Sequence, residues 1–258
     1  MLTLPELIEY LDSLQPGFRG RISGASPAAI AELERLAERR LPPIQREFLT
    51  LMGEDLGGLC AGFVGADMRV EALLEHFREN GWRPPEPFSL LGVDDDGLPI
   101  DSFLRCAPEL AEPELVQFTV PGGQQALVPK GPDNFDRMAP SLPTWLYRCG
   151  FINFIGERFA WTASAEVIEA QHDHGARFDA VLQHRGLRRE PGTDAMTGAY
   201  RAQEVAVLWS RNGFDDTTYF AVYSDDSGAV FEDVFQALEA VARLNRYGVG
   251  PVVTDPSE

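Results

Sequence analysis

Apolar residues recur at helical spacing through the first part of the chain and at alternating spacing after it. Leu4, Leu7, Ile8, Leu11 and Leu14 form one stripe, with Thr3 and Glu6 placed as a capping box and Gln15-Pro16-Gly17 as the stop. A second helix is predicted behind Ser26 as N-cap and Pro27 at its first position, with Ile30, Leu33 and Leu36/Ala37 inward. Pro42-Pro43 ends it and opens a third, in which Ile44, Phe48, Leu51 and Met52 face the core before Gly53. A fourth carries Val70, Leu73, Leu74 and Phe77, and Gly81 lies just past its end.

From Phe88 the pattern becomes extended. "FSLLGV" and "PIDSFLR" flank three aspartates, and "ELVQFTV" and "QALVP" flank Pro121-Gly122-Gly123, which predicts two antiparallel hairpins. "SLPTWLYRCGFINFIG" then predicts a short helix with Trp145, Leu146 and Phe151 buried. Beyond Ala160 the pattern restarts. Ser164 is placed to cap a long helix with Val167, Ile168, Phe178, Val181 and Leu182 inward, followed by strands "GLRRE", "EVAVLWS" and "TTYFAVYS". A last helix has Phe231, Val234, Phe235, Leu238 and Val241 as its stripe. Helices followed by strands, twice over, predict an α+β fold with a larger domain over 1–160 and a smaller α+β extension over 161–258.

Charge narrows the class of partner. The formal net charge is −18, and it is spread: residues 1–160 hold 14 basic and 24 acidic side chains, and residues 161–258 hold 8 and 16. Nucleic acid and anionic membranes are repelled by such a surface, and a basic protein is attracted. No apolar run approaches the roughly 18 residues of a membrane helix, and Glu6, Glu9 and Asp12 sit where a secretory leader would be basic and then apolar, so the expected location is cytoplasmic. Cys60, Cys106 and Cys149 lie far apart without a Cys-x-x-Cys pair, and are expected to be buried free thiols.

The helical segment "GRISGASPAAIAELERLAERRLPPIQREFLTLMGEDLGGL", with its capped acidic helix, Leu-Pro-Pro break and Glu47-Phe48-Leu49, resembles the SUKH superfamily of Smi/Knr-like proteins. "FSLLGVDDDGLPIDSFL" is similar to that family's strand, acidic turn and strand, and "SLPTWLYRCGF" to the short helix near its end. The likeness covers roughly residues 20–160. It implies an α+β domain without chemistry or cofactor of its own, used in bacteria as an immunity protein that binds and blocks a cognate toxin. A fungal branch, acting in cell-wall signalling, implies the alternative of a regulatory scaffold.

Candidate chemistry is sparse. If Gly97 is set at the invariant glycine of a calcium loop, Gly92 falls at the first ligand position and Phe103 at the last, where acidic ligands are needed. Asp94, Asp95 and Asp96 are therefore expected at a hairpin tip, where Asp tolerates turn conformations and Gly97 supplies a positive φ. His172, Asp173 and His174 are zinc-ligand types, which leaves a metalloenzyme as a second alternative, but two histidines two apart diverge on a helix. Neither a phosphate loop around Lys130 nor a Gly-x-Ser-x-Gly elbow is present in the sequence. The expected partner surface is acidic: Glu54, Asp55, Asp94, Asp95, Asp96 and Asp101, set against a basic toxin domain, possible targets including a nuclease.

Overall fold

The computed structural model describes residues 2–60, 63, 66–94, 100–119, 134–168, 174–211, 217–226 and 228–252. The fold is α+β with antiparallel sheets, in two compact units that divide after Cys149 rather than after Ala160.

In the unit 3–149, the helices are α1 (Leu4–Leu14), the short α2 (Phe18–Arg21), α3 (Pro27–Ala37), α4 (Pro43–Met52) and α5 (Val70–Asn80). Both expected caps form: Thr3 and Glu6 exchange hydrogen bonds at the start of α1, and the Ser26 hydroxyl accepts from Ala29 N at 3.1 Å. A two-residue ribbon pairs β1 (Ile22–Ser23) with β2 (Asp55–Leu56) across α4. The main sheet runs β3 (Phe88–Gly92), β4 (Ile100–Arg105), β5 (Glu114–Thr119) and β6 (Asp136–Ala139), in that spatial order. The expected strand "QALVP" lies outside the described residues, and the described partner of β5 on that side is β6. Helix α6 (Leu142–Phe154) follows, with Trp145 and Leu146 fully enclosed.

Strand β3 is an edge strand, and its outer backbone groups are taken up by the helical half of the unit. Glu38 adopts a left-handed conformation (φ 55°) after α3, and Arg39 beyond it donates to Phe88 O at 2.8 Å and to Pro84 O. Gln45 of α4 is fully buried; its amide donates to Leu90 O at 2.6 Å and its carbonyl accepts from Ser89 Oγ at 2.7 Å. A register shift between Leu90 and Gly92 then changes the parity of the strand, and Val93 pairs with Asp67 through two backbone hydrogen bonds of 3.1 Å. The inward stripe of α4 is accordingly Gln45, Phe48, Leu49 and Met52, while Ile44 and Leu51 are half-buried. Phe48 and Met52 of the expected stripe are thus buried, while Gln45 and Leu49 take the inner positions expected for Ile44 and Leu51.

The unit 150–258 is built on a sheet in the order β12 (Leu244–Pro251), β7 (Trp161–Val167), β11 (Thr218–Ser224), β10 (Val205–Arg211), β9 (Thr197–Arg201) and β8 (Arg188–Arg189). Helices α7 (His174–His184) and α8 (Ala229–Glu239) supply Phe178, Leu182, Phe231, Val234 and Phe235 to a core that includes Ala163, Ala165, Val207 and Phe220. Ser164 does not cap a helix; it lies within β7, where Ala163, Ala165 and Val167 are buried and Thr162, Ser164 and Glu166 are half-buried in strict alternation. One glycine lets the Trp209 ring lie over the neighbouring strand. Gly198 lies opposite Trp209, and a Cβ at Gly198 would sit 1.8 Å from the indole nitrogen, so only glycine lets the ring cross the strand.

Replacing Gln45 by leucine keeps volume but leaves Leu90 O and Ser89 Oγ without this partner in a buried place. The expected loss is about 2 kcal/mol, read by urea denaturation; a change below about 0.5 kcal/mol would show that the edge is held by other contacts.

Candidate functional site

The acidic residues expected at one surface separate into distinct environments. Gly53 ends α4, and its carbonyl accepts from Val70 N at 2.7 Å, so α5 starts against the end of α4. Glu54 and Asp55 follow directly and are exposed. Glu54 N donates to Ser23 O at 2.9 Å, and Asp55 pairs with Ser23 on the ribbon, so the backbone beneath both carboxylates is fixed. The turn after them is tight: Asp55 Oδ1 accepts from Gly57 N at 2.8 Å, and Gly57 and Gly58 have φ of 63° and 81°, which side chains other than glycine rarely adopt. Glu71, exposed in the first turn of α5, is next to the residue bonded to Gly53 and adds charge beside the ribbon.

The aspartates near the β3–β4 connection are arranged differently. Asp95 and Asp96 lie outside the described residues. Asp94 is half-buried, and its backbone N–H donates to Asp101 Oδ1 at 3.2 Å. Asp101 corrects the expectation of an exposed carboxylate, since it is 6 % exposed on β4. Burial pushes its pKa up to about 6; the Asp94 N–H works against that shift and the Asp94 charge adds to it. His76 of α5 stands beside it, with Nδ1 3.8 Å from Asp101 Oδ2, too long for a hydrogen bond. Burial holds the imidazole below its ordinary range, with the Glu79 charge opposing. A raised carboxyl pKa next to a lowered imidazole pKa is a pair of shifts in the directions found in acid–base pairs, yet both side chains are only 9 % exposed. The pair is a buried packing element of the hairpin base. Sequence reasoning missed His76 because the α5 stripe gives no hint of which strand it meets.

Of the residues behind the metalloenzyme alternative, His172 and Asp173 lie outside the described residues, and His174 is the first residue of α7. Among the described residues no group of three or more His, Cys, Asp or Glu side chains is placed to hold a metal. Cys60 and Cys149 are buried and Cys106 half-buried, all as free thiols. Burial, and then hydrogen bonding to Cys149, raises the Cys60 pKa well above its ordinary value, which keeps that thiol protonated and unreactive. Trp145 and Trp209 are core residues, at 1 % and 4 % exposure. Among the described residues no helix is long and apolar enough to cross a membrane. The chain matches no family model and no curated protein.

Asp101 makes stability depend on pH with a defined sign. Its folded pKa of about 6 lies above the ordinary 3.8, so its favourable contribution is present below pH 3.8 and is lost as pH rises to about 6. His76 has the opposite sign, because its lowered pKa costs stability as pH falls below 6.5. Asp101→Asn keeps the acceptor for Asp94 N and removes the charge. The variant is expected to be more stable than the parent at pH 7 by an amount on the order of 2–3 kcal/mol, with the difference vanishing near pH 4. Denaturation at both pH values checks this, and a variant less stable at pH 7 would contradict the reading of Asp101 as a strained buried carboxylate.

Proposed function

We propose that the chain is a non-enzymatic binding protein of the immunity type, which neutralises a basic toxin domain by covering its active site. The observation that carries this reading is the pair Glu54–Asp55: two exposed carboxylates held on a hydrogen-bonded ribbon, next to Glu71, in a chain of net charge −18. A fixed backbone presents both carboxylates at one place, and their field speeds the encounter with a cationic surface. The likeness of the sequence over residues 20–160 to SUKH proteins supports the same reading. Occlusion needs no catalytic group, so the acid–base character of Asp101 and His76 plays no part in it. The cognate partner's chemistry is that of a protein with a basic cleft, of which a nuclease is one example, and the expected place of action is the cytoplasm.

Co-expression with the protein encoded beside this one tests the proposal. The two are expected to copurify, and the present chain is expected to relieve that protein's toxicity. Glu54→Gln with Asp55→Asn is expected to slow association about three- to tenfold at low salt and much less at high salt. Failure both to copurify and to relieve toxicity contradicts the proposal. Copurification without any toxicity of the partner favours the regulatory scaffold instead.

A further inference from the structure

The second unit contains a cavity of about 570 Å³ that the acidic-surface reading does not use. Ile155 and Phe159, 1 % and 9 % exposed, give it an apolar floor, and Arg158, Arg188 and Arg201 stand around it with Gln203. Three guanidinium groups at one cavity are unusual in a chain with 22 basic and 40 acidic side chains.

Their placement is built in. Arg188 and Arg201 are direct partners across the β8–β9 pair, and like charges placed opposite one another on a sheet repel. One buried carboxylate offsets this: Glu190 Oε1 lies 3.2 Å from Arg188 Nη2 and 3.5 Å from Arg201 Nε, and its side chain is 1 % exposed. Glu190 Oε1 thus offsets the repulsion between two guanidinium groups, each of which carries five N–H donors. The third arginine arrives on the 3₁₀ turn Gly156–Arg158, which is pinned to the sheet because Gly156 packs on the Tyr223 ring; a Cβ there would fall 2.7 Å from it. Among the described residues that line the cavity, Asp225 is the acidic one, and its Oδ1 accepts from Ala160 N at 3.1 Å. The cavity is thus lined by buried apolar residues and by three arginines, and its volume lies within the range of roughly 300–1,000 Å³ typical of small-molecule sites.

We infer that this cavity is a binding site for a small organic oxyanion, its phosphate or carboxylate held by Arg158, Arg188 and Arg201 and its apolar body lying on Ile155 and Phe159. Arginine forks match both oxyanions in geometry, so the two share one recognition chemistry. The site is separate from the acidic ribbon and does not depend on it.

Calorimetric titration of the full chain at low ionic strength tests the inference with phenyl phosphate, phenylacetate, inorganic phosphate and benzyl alcohol as probes. At least one organic anion is expected to saturate with a dissociation constant of about 1 mM or tighter. The better of the two identifies the oxyanion preferred. Inorganic phosphate and neutral benzyl alcohol are expected to bind more weakly, since each lacks half of the recognition. Arg158→Gln and Arg188→Gln, the latter leaving Arg201 beside the buried Glu190, are each expected to weaken the organic anion about tenfold, with folding of both variants checked by circular dichroism. No saturation by either organic anion, equal binding of benzyl alcohol, or affinity unchanged in both variants overturns the inference.

Discussion

The first unit depends on how the outer edge of β3 is closed. An unpaired edge would expose a row of backbone acceptors and donors, which invites pairing with another chain. Here Arg39 takes Phe88 O, Gln45 takes Leu90 O, and the backbone of Asp67 takes Val93. Each comes from a different part of the helical half: the left-handed exit of α3, the buried face of α4, and the approach to α5. The same contacts that satisfy the edge therefore fix the helices against the sheet. The ribbon that carries Glu54 and Asp55 follows directly from α4, so its position is set by that docking.

A second constraint is electrostatic. With so many more acids than bases, a buried carboxylate must find arginine or shift its pKa. Glu114 takes the first course: it is 4 % exposed and held by Arg105 at 2.7 Å and Arg137 at 2.6 Å. Glu190 does so in the second unit, between Arg188 and Arg201, at longer distances. Asp101 takes the second course, its pKa raised by burial beside a neutral histidine. The arginines at Glu114 hold it at 2.6–2.7 Å, whereas Arg188 and Arg201 stand at 3.2 and 3.5 Å from Glu190 and also line a cavity. Acids that cannot be paired internally stay at the surface, where they give the molecule its field.

Much of the fold was legible in the sequence because caps and periodicity are local signals. The capping box at Thr3, the Ser26 cap and the stripe of α5 formed where spacing placed them, as did that of α8 up to Leu238, Val241 lying past the end of the helix. Reading failed where a tertiary contact overrode composition. Gln45 faces the core because β3 needs a donor, and β7 was taken for the start of a helix because alanine and serine at 163–165 carry little period-two contrast. Strands β9 and β12 were not anticipated; β9 contains Gly198, whose value appears only when Trp209 lies opposite it. The candidate surface was legible in part. Glu54 and Asp55 are exposed, whereas Asp101 is buried, since charge counts cannot tell a hairpin tip from its base. The arginine cluster of the second unit was not read from the sequence, where "GLRRE" gave only a strand, because Arg158, Arg188 and Arg201 reach the same cavity from distant positions in the chain.

The central claim is that the fixed acidic ribbon is the surface that meets a basic partner. Backbone hydrogen exchange of the full chain, alone and in complex with the protein that copurifies with it, tests this most directly. The account predicts that slowed exchange on binding is strongest over residues 53–58 and the first turn of α5. Slowed exchange confined to residues 150–258, with 53–58 unchanged, would contradict it.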